Sequence, residues 1–467
     1  MRNTLVLWKN RIWEQESVFA FLAAMAFSSL FVVVVLLARG DPLTLVVIPI
    51  ITLLAIIVSS FRLSCIVLVV SLFLDFEFIS LSTALWLTLP LGLSFVLRHA
   101  NIVWKDFSTP ISSSIAAYGL CILPSFLYVA KPIMSLFMLF NVVAFLIVLY
   151  TFVAGINSYR DTHWIVAVYL GMVFLNSIDV IILSISGKAR PFGFAGVWFV
   201  DYSALGVCLA LTMAFITRGL TRCILLVAAT ISTVALVLTQ TRNTWISGLL
   251  TLIVLATYVF FHPDVVDLPR KKVVTSIIVG FILLASIVMT VLALNPSIEE
   301  RVGQLANKSQ MGFNQEGITE NSVISRLLIW NTALNAFLAH PAVGIGVYAF
   351  RFSSHQYSKI PEILYYRYVA FRSPHQTELA VLTETGIIGF VGFSIFLIAL
   401  LTQSFKTMRA AIDGLGRKYA LVGIICVVYC TISMSFTDAW LWGQQIVLLG
   451  IVCGSIFAMS KLNRQHS

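Results

Sequence analysis

The sequence predicts an all-α polytopic membrane protein of about 12–14 transmembrane helices with one large external loop that contains amphipathic helices. Three observations predict it. Fifty-nine per cent of the 467 residues are hydrophobic and only 11% are charged, and the mean hydropathy is +0.97, far from soluble composition. Apolar runs of roughly 17 residues or more, each long enough to cross about 30 Å of hydrocarbon as a helix, recur down the chain. A single long polar interruption runs from Asn295 to Gly386.

The expected spans lie near 19–38, 43–60, 62–76, 80–97, 111–130, 132–155, 164–186, 200–217, 222–240, 243–261, 273–293, 386–403, 418–436 and 441–459. Asp75 and Glu77 limit the third, and Pro124 interrupts the fifth. Trp8, Lys9, Arg11 and Trp13 precede the first span. That interfacial composition leads into a full-length span, which is expected to stay as an anchor rather than be cleaved.

Basic residues alternate between loops. Arg2, Lys9 and Arg11; Arg98 and Lys105; Arg218 and Arg222; Arg270, Lys271 and Lys272; Lys406, Arg409, Arg417 and Lys418; and Lys461 and Arg464 fall on one side. Lys and Arg are retained on the cytoplasmic side. Both termini are then cytoplasmic, and the long insert faces outward with the short connections holding Lys188-Ala-Arg190 and Thr239-Gln-Thr-Arg242. The net charge of +10 follows from this asymmetry and a smaller external cationic group. No nucleic-acid-binding pattern accompanies it, and no nucleic-acid partner is expected.

The chain divides into an N-terminal transmembrane bundle (1–293), a large external loop (294–385) and C-terminal transmembrane helices (386–467). All seven cysteines lie in or beside apolar spans, with neither a disulfide framework nor zinc spacing. Inside the loop, Val323, Ile324, Leu327, Leu328, Trp330, Leu334, Phe337 and Leu338 recur at helical spacing after Ser322. They predict an amphipathic surface helix that ends at His340-Pro341. Gly344 and Gly346 break regular structure, and Tyr348 to Arg372 is rich in aromatic and basic residues. Such a mixture suits an interfacial belt and equally a sugar-binding surface. From His375 to Ile388 the spacing predicts a new helix running into the next span.

Arg242 sits at a junction between two apolar spans. A guanidinium at that depth usually has an anionic or carbonyl partner, although a snorkelling Arg that ends a helix has the same position. Arg190, in Arg190-Pro-Phe-Gly193, allows the same two readings. Arg326 lies near the start of the surface helix, where backbone N–H groups and a planar guanidinium together suit phosphate. The three arginines fall on one face. Of the external histidines His340, His355 and His375, only His375 begins a membrane-entering helix. Glu378 follows one turn on, placed to orient the imidazole for general-base work. No P-loop, G-x-S-x-G, H-E-x-x-H or metal-spaced carboxylate pair occurs in the external segments. Asp75-Phe-Glu77 is the one acidic pair near a surface, read as a solvated turn or as a metal or base site. Metal-independent chemistry without a cofactor is expected, with arginines neutralising any diphosphate.

The order of these features resembles the O-antigen ligase and polymerase superfamily of bacterial envelope glycosyltransferases. Leu238-Thr-Gln-Thr-Arg242-Asn-Thr-Trp245 is similar to that family's Ser-Arg motif at a helix junction. Ser325-Arg326 with Trp330, Pro341, Gly344, Gly346 and Phe350 is similar to its R-x-x-x-W and P-x-x-G-x-G run. His375 with Glu378, Glu384, Gly386 and Gly389 is similar to its His followed by E-x-G, and Arg190 to Asp201 resembles a weaker upstream block.

The resemblance implies a GT-C-like membrane enzyme of the bacterial inner membrane with its active site facing the periplasm. Its donor would be an undecaprenyl-diphosphate-linked glycan, and its acceptor a hydroxyl of a glycolipid such as lipid A-core or of a glycan. Carried onto this chain, Arg242 and Arg326 bind the diphosphate and support its departure, and His375 activates the acceptor hydroxyl. Arg190, Glu378, Trp330 and Arg372 are expected to contact substrate. Ligase and polymerase share the donor and the leaving group; the His-containing motif lies nearer the ligase pattern. A transporter of lipid-linked sugars also needs many spans and arginines, but would be expected to show repeated halves and charges along a central cavity.

Overall fold

The structure is a computed structural model that describes residues 61–73, 77–78, 81–82, 88, 112–128, 132–188, 190–266, 269–294, 322–411, 414–437 and 443–466. The expected spans near 19–38 and 43–60 lie outside the described residues. The helices in chain order are α1 (Phe61–Ser71), α2 (Ser112–Ile122), α3 (Pro132–Gly155), α4 (Tyr159–Ile185), α5 (Phe199–Ile216), α6 (Gly219–Leu238), α7 (Arg242–Phe261) and α8 (Arg270–Leu294). They continue with α9 (Ser322–Ala339), α10 (Phe350–Ser353), α11 (Glu362–Tyr368), α12 (Thr377–Arg409), α13 (Gly414–Met434) and α14 (Gly443–His466).

The protein is an all-α polytopic membrane protein. Among the described residues seven helices are long and apolar enough to cross a bilayer: α4, α5 with its 3-10 lead-in, α6, α7, α12, α13 and α14. α3 and α8, at 24 and 25 residues, have the length as well.

Two expected spans are shorter than their apolar runs. α1 has 11 residues, or about 16 Å at helical rise, and leads to a two-residue antiparallel ladder of Glu77–Phe78 with Leu81–Ser82. The span expected near 80–97 thus opens with a strand residue pair, and Asp75 lies outside the described residues. α2 also has 11 residues, giving way to a 3-10 turn at Leu123–Tyr128. Pro124 stands at that change, because its ring removes the N–H an α-helix needs.

α5 lies at the centre, packed by α4, α6, α7 and α13, with 83% of its apolar window buried. α14 is buried to the same extent, against α3 and α13. Small residues permit the close crossings: a Cβ on Gly454 would fall 2.6 Å from the Leu149 carbonyl, and one on Gly450 would fall 3.0 Å from Val148.

Cross-links between helix ends define two ends of the bundle. At one, Tyr159 donates to Asn463, Asn463 Nδ2 donates to the Thr407 carbonyl at 2.8 Å, and His163 Nδ1 lies 2.8 Å from the Tyr419 hydroxyl. The beginnings of α4 and α13 therefore meet the ends of α12 and α14. Chain alternation places Arg218, Arg222, Arg270, Lys271, Lys272, Lys406, Arg409, Arg417, Lys418 and Lys461 at this same end. The opposite end gathers the 190–198 turn, the α6–α7 turn, the start of α12 and the α13–α14 connection.

Above that second end, α9, α10 and α11 form a cap with its own small core of Ile329, Ala333, Ala336, Phe350, Tyr365, Tyr368 and Val369. α9 ends at Ala339, as the apolar spacing predicts.

Candidate active site at the capped end

Two backbone segments splice the cap to the bundle. α12 breaks at Gly386, whose φ of 63° and ψ of −167° lie outside helical space. Its neighbours Ile387 and Ile388 donate their N–H groups to the carbonyls of Pro341 (2.9 Å) and Ala342 (3.2 Å). In return Ile345 N–H reaches the Thr383 carbonyl (3.1 Å), and Gly346 N–H reaches that of Glu384 (3.0 Å). A Cβ on Gly344 would fall 2.3 Å from the Glu384 backbone, and one on Gly386 would fall 2.4 Å from that of Ala342. Only glycine fits either position, both because of this approach and because both have positive φ.

The Glu384 carboxylate, buried at 3% exposure, accepts from Tyr348 N–H at 2.8 Å and Phe350 N–H at 3.4 Å. The P-x-x-G-x-G and E-x-G motifs are therefore one structural device, joining residues 341–350 to 383–388. Buried carboxylates are expensive unless bonded in this way.

His375 lies just before α12, in a left-handed conformation (φ 56°). Gln376 is the N-cap, so His375 is outside the helix, and the helical i, i+3 stacking expected with Glu378 does not apply. Glu378 accepts instead from Ser435 Oγ at 2.9 Å, and its other oxygen, Oε2, is buried without a hydrogen-bond partner. The His375 turn is clamped on both flanks. Trp330 Nε1 donates to the Pro374 carbonyl at 2.9 Å, and Thr377 Oγ1 donates to the Thr437 carbonyl at 2.6 Å.

Arg326, half-buried in the first turns of α9, follows Ser325, whose hydroxyl donates to the Tyr368 carbonyl at 3.1 Å. Arg372 Nη1 donates to the same hydroxyl at 2.8 Å, and its Nη2 reaches the Arg367 carbonyl. Arg372 therefore steadies the Ser325-Arg326 pair rather than standing free. Arg326, Trp330, Arg372 and the His375 turn belong to one assembly built of α9, the 368–376 segment and the start of α12.

Arg242 begins α7, after a tight turn in which Gln240 has φ 56°. It is exposed and makes no hydrogen bond or ion pair with any described residue. Thr241, at the N-cap, makes no side-chain cap to the first N–H groups of α7. α7 packs on α5 and α13 and so shares their capped end. Arg190 lies exposed in the turn after α4, at the same end.

Sequence reading missed two groups. Arg351 donates to the Tyr348 hydroxyl at 2.7 Å and to the Phe371 carbonyl at 3.3 Å, bridging two further left-handed residues. Asp201, 5% exposed, accepts from Tyr429 (3.2 Å), Ser433 (3.1 Å) and Gln445. The sequence marked it as an acidic residue inside an apolar run and as the end of the weaker upstream block, but gave it no role. All four non-glycine residues with left-handed backbone among the described ones, Gln240, Tyr348, Phe371 and His375, lie at this end. Each such conformation costs about 1–3 kcal/mol and tends to persist where a site is held in place.

Among the described residues, no three His, Cys, Asp or Glu side chains gather as a metal cluster would. Arginines and uncapped helix N–H groups at this end are suited to an anion.

No curated protein matches the chain. Residues 225–394 match the family profile described as O-antigen ligase. That match begins in α6, takes in Arg242, the cap and the His375 turn, and ends in α12 just beyond the splice. The matched segment, the helical membrane fold and the gathering of the three motifs at one end support the O-antigen ligase and polymerase superfamily, whose members are glycosyltransferase-like and use lipid-linked glycans.

Proposed function

We propose that the protein moves a glycan from undecaprenyl diphosphate to an acceptor hydroxyl, of lipid A-core or another glycan, at the periplasmic face of the bacterial inner membrane. The observation that carries this reading is the pairing, at one end of the bundle, of an exposed Arg242 on an open helix N-terminus with a His375 turn clamped on both flanks.

An anomeric diphosphate is already a good leaving group, so catalysis gains most from stabilising its departing charge and aligning the nucleophile. Arg242 and Arg326 take the diphosphate oxygens, with Arg190 and the α7 N–H groups adding positive potential. His375 accepts the proton of the acceptor hydroxyl as its oxygen bonds to the anomeric carbon and the bond to diphosphate breaks. The unpartnered Glu378 Oε2 supplies a carboxylate close in sequence to the imidazolium that forms. The lipid tail stays in the bilayer, which is why the site belongs at the membrane boundary.

The nearness of the His motif to the ligase pattern favours ligation over polymerisation. The test is the length of glycan left on the lipid carrier in cells lacking the protein. Long chains with bare lipid A-core support the ligase reading; single repeat units replace it with a polymerase. An unchanged profile removes both and favours a transporter or another glycan pathway.

A further inference from the structure

We infer that Asp201 is a positioning residue for His375, acting through the five residues from Ser433 to Thr437 in which α13 ends and the chain turns away from it. The inference rests on the transfer reading above. Asp201, on the first turn of α5, gathers donors from two other helices: Tyr429 and Ser433 at the end of α13, and Gln445 on the first turn of α14. The beginnings of α5 and α14 are thereby tied to the end of α13.

The same end of α13 reaches the opposite way. Two residues beyond Ser433, the Ser435 hydroxyl holds Glu378; two further on, the Thr437 carbonyl receives Thr377 Oγ1. Thr377 and Glu378 are the first two residues of α12, and His375 is two residues before them. One continuous hydrogen-bonded path thus runs from a buried carboxylate to the turn that carries the imidazole. Its far flank is closed by Trp330 on Pro374.

The path suits positioning because its members are rigid. Asp201, Ser433, Thr377 and Gln445 are all buried, and Ser435, Phe436 and Thr437 N–H groups bond back to the carbonyls of Ile432 and Ser433. A left-handed His375 has few alternative turns to adopt once Pro374 and Thr377 are both fixed. None of the three donors on Asp201 is a cation, so its value is as an acceptor rather than as half of an ion pair. Gln445 Oε1 is buried and unpartnered. An asparagine at 201 would keep the Tyr429 and Ser433 bonds on its oxygen, and its amide N–H would meet Gln445 once that side chain turned its oxygen inward.

The test is steady-state transfer by the purified full-length protein with a lipid-diphosphate glycan donor, comparing Asp201→Ala, Asp201→Asn, Thr377→Val and His375→Ala. Displacing a reacting group by about 1 Å costs on the order of a hundredfold. Asp201→Ala is therefore expected to lower kcat by between about tenfold and a hundredfold, with donor KM within about twofold because the arginines are untouched. Asp201→Asn is expected to restore kcat to within about threefold of wild type, and Thr377→Val to lower it by about tenfold with only a small fall in melting temperature.

Wild-type kcat in Asp201→Ala, or a raised donor KM with kcat preserved, overturns the inference. If Asp201→Ala fails to fold, Thr377→Val decides alone: wild-type kcat overturns the inference, and a lower kcat at unchanged KM upholds it. An active His375→Ala instead defeats the transfer reading itself, so the two failures are distinguishable.

Discussion

At the basic end of the bundle, Tyr159, Asn463 and Thr407 close α4, α12 and α14 together, Gln403 bonds Ser460 at 3.0 Å, and His163 bonds Tyr419. At the capped end, polar groups are as dense but differently used: Arg242 is exposed, Glu378 Oε2 is unpartnered, and four non-glycine residues hold left-handed backbone. The first end uses polar side chains to fasten helices to one another. The second fastens backbone, leaves the Arg242 side chain exposed and leaves one carboxylate oxygen of Glu378 without a hydrogen-bond partner. Groups that satisfy one another stabilise a fold; groups fixed but not satisfied are ready for a ligand.

The comparison breaks most sharply if charge at the capped end is dispensable. His375→Ala and Arg326→Ala are each expected to abolish transfer, a loss of at least about a hundredfold, while membrane insertion is unchanged. Glycan display at wild-type level in either variant, measured by gel, removes the site. Next in size is the splice. Gly344→Ala and Gly386→Ala each drive a Cβ into backbone, and each is expected to destabilise by more than about 2 kcal/mol, with a lowered melting temperature in detergent and lost transfer.

Trp330→Phe keeps an aromatic ring, smaller than the indole, but loses the bond to Pro374. Its expected signature is a kcat lower by about tenfold with a stability change near 1 kcal/mol. The smallest effect belongs to the basic end: Tyr159→Phe removes the Asn463 bond, should cost about 1 kcal/mol of stability, and should leave kcat as in wild type. A strong loss of transfer from Tyr159→Phe would show that the two ends are coupled, and the contrast between them would fail.

Much of the fold was legible because periodicity and hydropathy are local. The limits of α9 and the helix after Pro374 follow from apolar spacing and a proline. Asp75, Glu77 and Pro124 marked α1 and α2 as interrupted, but the residues at which each helix stops did not follow, since a helix and a buried coil segment have the same apolar composition.

At the candidate site, Arg242 and His375 stood out in the sequence by their places at span boundaries, and Arg326 by its place near the start of a surface helix. What joins them did not. Asp201 meets partners 228, 232 and 244 residues away, and the splice pairs residues about forty apart through backbone atoms, which residue identities do not encode. For Glu378 the helical spacing from His375 was the wrong premise, since such spacing applies only where both residues lie in the helix, and Gln376 is the N-cap while His375 has positive φ.

The most direct test of the account is transfer in vitro by purified protein, using an undecaprenyl-diphosphate-linked glycan and a lipid A-core acceptor, with wild type beside His375→Ala and Arg242→Ala. The account predicts glycosylated acceptor from wild type and none from either variant at matched melting temperature. Product formed by His375→Ala at the wild-type rate would contradict it.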